Sequence, residues 1–247
     1  MFCTHGLQSG NGAELFFLKS PDGPAQMTDQ PSDPAVTKLT ETKRKWAAEG
    51  KFLTGSIARP ETERLPPGQH LVKNWPVLDL GQQPEISRER WRLDVRGLVL
   101  SPMTLDWKSF HELPSGDSIS DIHCVTTWSR YDNRWTGVTT RDLADLVHPK
   151  DEANAVMLTG YDGYTTNLSL SDFAAEGARL VTGWEGEPLS AEHGGPVRLV
   201  VPHLYFWKSA KWLNRIEFIR EDTPGFWEKN GYHMRGDPWA EERYSED

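Results

Sequence analysis

Apolar and polar positions alternate repeatedly along the second half of this chain. Between Trp91 and Arg96 every second side chain is apolar, which is the period of a strand with one buried face. The same reasoning predicts further strands at SISDIHCV, AVMLTGY, GYTTNLSL, ARLVTGW, VRLVV and RIEFI, and short helices at LDWKSFHEL, TRDLADLV and SLSDFAA. No regular helical crossovers separate the strands, so the pattern predicts an α+β fold rich in mixed or antiparallel sheet and short helices.

The beginning of the chain has a different composition. Residues 1–36 are rich in Gly, Ser, Pro, Asp and Gln, which predicts a flexible tail. Met27 is an alternative start of the protein, and the sequence does not decide between Met1 and Met27. A single domain is predicted over residues 37–247. It begins near Thr40 with a helix in TETKRKWAAEG that ends at Gly50.

Two stretches lack periodicity yet carry apolar groups. From Arg59 to Glu85 five prolines predict a long loop, and the apolar island WPVLDL within it indicates that the loop is held against the body. From Asp222 to Tyr244 aromatic residues, Gly and Pro are frequent. This segment is therefore predicted to wrap over the body.

Composition narrows the classes of function. The net charge of −9 without a basic stripe argues against a nucleic-acid partner. No apolar run is long enough to cross a bilayer, and the first residues show no basic region followed by an apolar block, so no membrane segment and a cytoplasmic location are expected. The only cysteines, Cys3 and Cys124, exclude a four-cysteine zinc site.

Cys124 is the first candidate for chemistry. It ends a predicted strand and opens a segment dense in polar and aromatic residues, a position that suits a site residue and a buried structural cysteine equally well. His123 would point to the opposite face of that strand, which argues against a metal shared by the pair.

A cationic cluster follows a later strand. Arg198 lies within VRLVV, and Lys208, Ser209 and Lys211 come soon after it. Ammonium, hydroxyl and backbone N–H groups together suit a phosphate, although lysines after a strand are commonly only solvated. The sequence shows no GxSxG, Walker or GxGxxG motif and no HxxxH or HExxH spacing, so hydrolase, kinase and nicotinamide functions have no support.

At HCVTTWS, followed by WTGV, the sequence resembles the cysteine motif of the sulfite-oxidase-type molybdopterin proteins. It is closer to the bacterial protein-methionine-sulfoxide reductase catalytic subunits than to the animal sulfite oxidases, and is most similar to small single-domain members without an assigned substrate. Trp75–Gly81, Gly194–Trp212 and Pro224–His233 agree with the same family. The resemblance covers roughly residues 52–244.

The resemblance implies the sulfite-oxidase fold and a molybdenum centre held by a pterin dithiolene, without an added nucleotide, and by one cysteine thiolate. Carried over, Cys124 is the metal ligand, Arg198 binds the pterin phosphate and His193 replaces an asparagine that touches the cofactor in the reductase. The predicted cofactor-binding residues are Asn74, Trp75, Pro76, Val77, Cys124, Thr159, His193, Arg198, Lys208, Ser209, Ala210 (through its main chain) and Lys211.

Several residues near the cysteine are candidates for the substrate side. Arg130 and Arg134 are predicted catalytic residues that draw an anionic or polar oxide into the site, with solvated surface charge as the alternative. Trp128 and Trp135 are expected to form dry walls. A soft thiolate suits a metal already bound by sulfur, and the metal and pterin perform the chemistry while the protein positions them.

The resulting hypothesis is a molybdenum-dependent oxidoreductase. It transfers an oxygen atom to or from a small S-oxide, N-oxide or sulfite-like substrate, with reduction favoured because the motif is closer to the reductase branch. The expected partners are this small oxide or oxyanion and an electron-transfer partner that the sequence does not identify. The alternatives are a non-catalytic molybdopterin-binding or electron-relay protein and a metal-free α+β ligand-binding module.

Overall fold

The computed structural model describes residues 64–81 and 83–247, and its strands form two sheets. The strands are β1 (His70–Leu71), β2 (Arg92–Gly97), β3 (Met103–Asp106), β4 (Gly116–His123), β5 (Trp128–Thr139), β6 (Ala155–Gly160), β7 (Thr165–Ser169), β8 (Arg179–Trp184), β9 (Glu187–Pro188), β10 (Arg198–Val200) and β11 (Leu213–Ile219). The helices are α1 (Trp107–His111), α2 (Thr140–Val147), α3 (Leu170–Phe173), α4 (Phe226–Lys229) and a 3-10 helix at Phe206–Lys208.

Both sheets mix parallel and antiparallel pairs. The six-stranded sheet has the order β1-β5-β8-β10, with β4 also paired to β5 and β9 to β8; only β1 and β5 run parallel there. The five-stranded sheet has the order β3-β2-β11-β6-β7, in which β2 and β11 are parallel. The predicted α+β class with mixed sheets and short helices is therefore confirmed.

The short helices begin at side chains that cap them. Asp106 accepts a hydrogen bond from the Ser109 backbone N at 2.8 Å, and the Asp106 backbone N donates in return to the Ser109 hydroxyl at 2.9 Å, which completes a capping box for α1. Thr139 caps α2 in the same sense, and α2 ends at His148 in the left-handed region. These local signals explain why the predicted helices form where they do.

The buried side chains form two clusters. The larger is mainly aliphatic and includes Trp91, which is fully buried and donates from its indole nitrogen to the Leu213 carbonyl at 3.0 Å. The smaller is mainly aromatic and contains Cys124. The tryptophans are thus divided between core packing and the surroundings of the thiol.

The longest strand, β5, is absent from the predicted set. Its twelve residues include the buried polar Asn133, and Asp132 beside it has a φ of 55°, so the alternation of apolar and polar side chains is broken. The register with β4 shifts nearby, between Ser120 and Ile122. A pattern with period two does not survive such an interruption.

Some predictions fall outside the described residues. These are the tail at 1–36, the helix in TETKRKWAAEG and the position of Cys3. The single domain over residues 37–247 also stays a prediction, because its first part is not described. Within residues 64–81 and 83–247, no helix is both long and apolar enough to span a membrane.

Gly137 tests the packing of β5 against β8. A methyl group on Gly137 would lie 2.1 Å from the Leu180 carbonyl oxygen, whereas one on its partner in β4, Gly116, would meet nothing within 4 Å. We expect Gly137→Ala to lower the free energy of unfolding by about 1–3 kcal/mol, because backbone must move to accommodate it. Gly116→Ala is the control, with little expected change; equal urea midpoints for the two variants would contradict this packing.

Candidate active site

The turn between β4 and β5 presents the thiol of Cys124. The Cys124 backbone N donates to the Trp128 carbonyl at 2.8 Å, and the Thr127 N donates to the Cys124 carbonyl at 2.9 Å. Cys124 is only 6 % exposed, and its Sγ lies 3.1 Å from the Thr126 hydroxyl oxygen. The turn therefore holds the thiol close to the end of β4, as the sequence pattern indicates.

An open cleft lies beside this thiol. Concave sites with apolar walls and a few polar groups are where small ligands and cofactors usually bind. Eight of the cleft's twenty lining residues carry large aromatic rings, and these are Trp75, Trp128, Tyr164, Phe206, Trp207, Trp212, Trp227 and Tyr232. Large apolar walls around a thiol keep water away from it.

Trp75 fastens the early loop to the body. Its ring stacks on the imidazole of His193, with centroids 3.9 Å apart. His193 Nε2 donates to the Trp75 carbonyl at 3.3 Å, so in the neutral ring Nδ1 accepts from the Ser190 hydroxyl at 2.9 Å. Burial lowers the pKa of His193, which favours this neutral form.

Arg198 brings a buried positive charge to the cleft. It is 2 % exposed and donates to the carbonyls of His193 at 2.8 Å and Ser209 at 2.7 Å. It forms no ion pair with a carboxylate of the described residues, and burial lowers its pKa to about 9, which leaves it charged at neutral pH. A buried charge of this kind favours binding of an anion in the cleft.

Lys211 adds a second cation to the same wall. Its Nζ donates to the Glu192 carbonyl at 2.7 Å. Burial, and then repulsion from Arg198, lower the pKa of Lys211 to about 8. Asp79 and Asp162 also line the cleft and are near enough to interact with this ammonium group, and burial raises the pKa of Asp162.

About half of the predicted site residues come together around the cleft. Those that line it are Trp75, Pro76, Cys124, His193, Arg198, Ser209 and Lys211. They come from four separated parts of the chain, and their binding of the cofactor stays a prediction.

Lys208 does not belong to this group. Its side chain is fully buried, 2.7 Å from Glu228 Oε1, and it donates to Asn167 Oδ1 at 2.9 Å. Its charge is neutralised inside the protein and it does not line the cleft, so the cofactor contact expected of Lys208 stays a prediction without support from this placement.

The two predicted catalytic arginines also lie outside the cleft lining. Arg130 pairs with Glu185 at 3.1 Å, stacks over the Trp184 ring and donates to Asn133. Arg134 is exposed, because it alternates along β5 with buried neighbours. Their role as substrate-attracting residues stays a prediction, and the alternative of a surface charge fits their surroundings better.

Four further residues that were predicted to bind the cofactor do not line the cleft. Asn74 and Val77 are exposed on either side of the pair that lines the cleft. Thr159 lies on β6 and alternates with the buried Leu158. Ala210 is buried in the aliphatic core, where its carbonyl accepts from Leu199.

Several lining residues were missed by the sequence reasoning. Tyr232 stacks on Trp227, with centroids 5.2 Å apart, in the irregular segment after β11. Burial, and then the nearby Cys124 sulfur, raise the pKa of Tyr232, so its phenol keeps its proton. The aromatic density of PGFWEKNGYH was the available signal, but it does not tell which ring faces the cleft.

Comparison with known proteins gives a consistent result. The family described as oxidoreductase molybdopterin binding domain matches residues 80–227. The uncharacterized oxidoreductase YuiH of Bacillus subtilis is 50 % identical over 188 residues, which cover 76 % of this chain and 95 % of YuiH.

More distant relatives are longer than the matched region. The protein-methionine-sulfoxide reductase catalytic subunit MsrP of Campylobacter jejuni is 30 % identical over 57 % of this chain, and the match spans 52 % of MsrP. The sulfane dehydrogenase SoxCD of Paracoccus pantotrophus shares the fold, with a TM-score of 0.52, 20 % identity and coverage of 56 % of this chain and 40 % of that one. This chain thus spans about half or less of these two proteins.

The two lysines of the cationic cluster should behave differently when replaced. Lys208→Met leaves the buried Glu228 carboxylate without its partner, so we expect the free energy of unfolding to fall by about 3–5 kcal/mol. Lys211→Met removes a charge that forms no ion pair with a described carboxylate, and we expect a change below about 1 kcal/mol. Urea unfolding measures both; the opposite ranking would contradict the assigned contacts.

The cleft should also bind anions in a pH-dependent way. Lys211, with a pKa of about 8, is an ammonium below that pH and neutral above it. Sulfate affinity, measured by calorimetry on ligand-free protein, should fall about two- to fourfold between about pH 6.5 and 8.5 as this donor is lost. Sulfate keeps its charge over this range, and Lys211→Arg should give a flat profile; an equally steep profile for that variant would assign the titration elsewhere.

Proposed function

Because the chain belongs to the oxidoreductase molybdopterin-binding family, we propose that it transfers an oxygen atom to or from a small S-oxide, N-oxide or sulfite-like substrate. It is an enzyme of the sulfite oxidase family, and its cofactor is molybdenum bound by molybdopterin. Reduction of an S-oxide is the direction that we favour.

The observation that carries the proposal is the pairing of a thiol with buried cations in one cleft. Cys124 supplies a soft sulfur ligand of the kind that suits molybdenum. Arg198 and Lys211 form no ion pair with a carboxylate of the described residues, so their positive charges are available to a phosphate. The donor set therefore fits a group that has a metal and a phosphate.

In this proposal each donor has a defined partner. The Cys124 thiolate binds the metal, Arg198 and Lys211 hold the phosphate, and Ser209 and His193 contribute polar groups along the wall. When bound, the molybdenum–pterin group supplies the oxygen-atom transfer and the accompanying two-electron change.

The protein supplies orientation and a dry environment. The aromatic walls exclude water, which strengthens each hydrogen bond to a substrate oxygen. Tyr232 keeps its proton and is therefore a hydrogen-bond donor next to Cys124. The Tyr164 hydroxyl already donates to the Trp207 carbonyl at 2.6 Å, so Tyr232 is the phenol that we assign to the substrate.

The preference for S-oxides comes from the relatives. Those named as methionine-sulfoxide reductase subunits reach 28–30 % identity, and the cysteine motif of this chain is close to theirs. Reduction of an S-oxide to a thioether consumes two electrons and two protons and releases water. We therefore propose a separate electron donor as a partner.

Metal analysis and turnover test this function together. We expect about one molybdenum per chain, with a molybdenum–sulfur shell in X-ray absorption, and oxidation of a reduced dye by S-oxides. Cys124→Ser should lose activity by at least about 10³-fold and lose one sulfur from the molybdenum–sulfur shell, because a hydroxyl is a poor substitute for the thiolate.

Cys3→Ser is the matched control, with unchanged metal content and turnover. An unchanged molybdenum–sulfur shell in Cys124→Ser would contradict the assigned ligand. Molybdenum binding without turnover of S-oxides, N-oxides or sulfite would instead favour the non-catalytic alternative.

A further inference from the structure

The turn that carries Cys124 is held by two side chains that are distant in the sequence. Gln69 Nε2 donates to the Cys124 carbonyl at 3.1 Å, and Arg243 Nη1 donates to the Val125 carbonyl at 3.0 Å. Their partners are 55 and 118 positions away. Neither side chain lines the cleft, so both act on the turn from outside it.

Arg243 joins two loops with one guanidinium group. It is 4 % exposed, and its Nη2 donates to the Pro67 carbonyl at 3.1 Å while Nη1 reaches the turn. The guanidinium also lies over the ring of Tyr205, 4.9 Å from its centroid. Hydrogen bonds from a charged donor are stronger than neutral ones, and the planar fork fixes two directions at once.

Gln69 is oriented by a buried chain of polar groups. Its Oε1 accepts from the Ser129 hydroxyl at 3.2 Å, and that hydroxyl accepts in turn from His123 Nδ1 at 2.8 Å. His123 ends β4 and Ser129 lies at the start of β5, so the network spans both strands that flank the turn. The amide of Gln69 thereby faces the Cys124 carbonyl with its donor end.

We infer that Gln69 and Arg243 are positioning residues that fix the Cys124 turn before any ligand binds. Backbone hydrogen bonds tie the turn at both ends, from Cys124 N to the Trp128 carbonyl and, from the neighbouring strand β1, from His70 N to the Thr127 carbonyl. The two remote donors immobilise successive carbonyls within it and so fix the direction of the Cys124 side chain. The inference rests on the proposed role of Cys124 as metal ligand, because a ligand side chain that is already held in the binding geometry needs no rearrangement when the metal binds.

Reactivity of the thiol tests this role without the cofactor. In full-length Cys3→Ser protein produced free of cofactor, we expect Arg243→Lys and Gln69→Met to raise the rate of Cys124 alkylation by iodoacetamide about two- to tenfold, because each loses one hydrogen bond to the turn. The rate is measured under conditions in which near-ultraviolet circular dichroism shows that the parent and the variants are folded.

Arg235→Lys is the matched control. Arg235 lies in the same segment and pairs with Asp172 and Asp237, and its side chain forms no hydrogen bond or ion pair with the turn. We expect less than about a twofold change in alkylation for this variant. In the cofactor-loaded enzyme, amide exchange of the peptide spanning residues 123–129 should quicken in Arg243→Lys and Gln69→Met and stay unchanged in Arg235→Lys.

Loss of stability with unchanged alkylation and unchanged local exchange would overturn the inference, since a merely structural residue behaves in that way. If Arg243→Lys did not fold, Gln69→Met would decide the question with the same expected result. An unchanged molybdenum–sulfur shell in Cys124→Ser, together with faster alkylation in the two variants, would refute the proposed metal ligand and leave the control of the turn intact.

Discussion

The buried guanidinium group of Arg198 determines the arrangement of the site. It forms no ion pair with any carboxylate among residues 64–81 and 83–247. Backbone carbonyls of His193 and Ser209 satisfy part of the donor capacity of Arg198, but they do not neutralise its charge. The cleft therefore lies between the segments that supply these carbonyls and the loop of Trp75, which packs over His193. An anion placed there completes the charge balance.

The contrast between two lysines shows how the same sequence cluster serves two purposes. Lys208 is compensated by Glu228 beneath the cleft and ties α4 to the 3-10 helix. Lys211, three residues later, reaches the cleft and has a lowered pKa. The two side chains extend into different surroundings. Lys208 stabilises the scaffold, and Lys211 remains available to a ligand.

Sequence reasoning predicted the elements whose signals are local. The strands β2, β6, β8 and β11 follow from alternation, and the capped helices from their first residues. Cys124, Arg198 and Lys211 were reachable through motif resemblance. The strand β5 was not, because Asp132 interrupts its alternation, and neither were Asp162 and Tyr232, because the residues that face a cleft depend on packing between distant segments. Arg130 shows the same limit: its charge is visible in the sequence, but its pairing with Glu185 is decided by the β5–β8 register.

The bond from Arg243 to the Pro67 carbonyl joins positions 176 residues apart. While the chain is being made on the ribosome, this contact is unavailable until nearly all of the described sequence has emerged. A turn synthesised earlier has the hydrogen bond from Gln69 but still lacks the one from Arg243. The two remote donors therefore become available at different times: Gln69 can act once both strands of the hairpin exist, and Arg243 only at the end of translation.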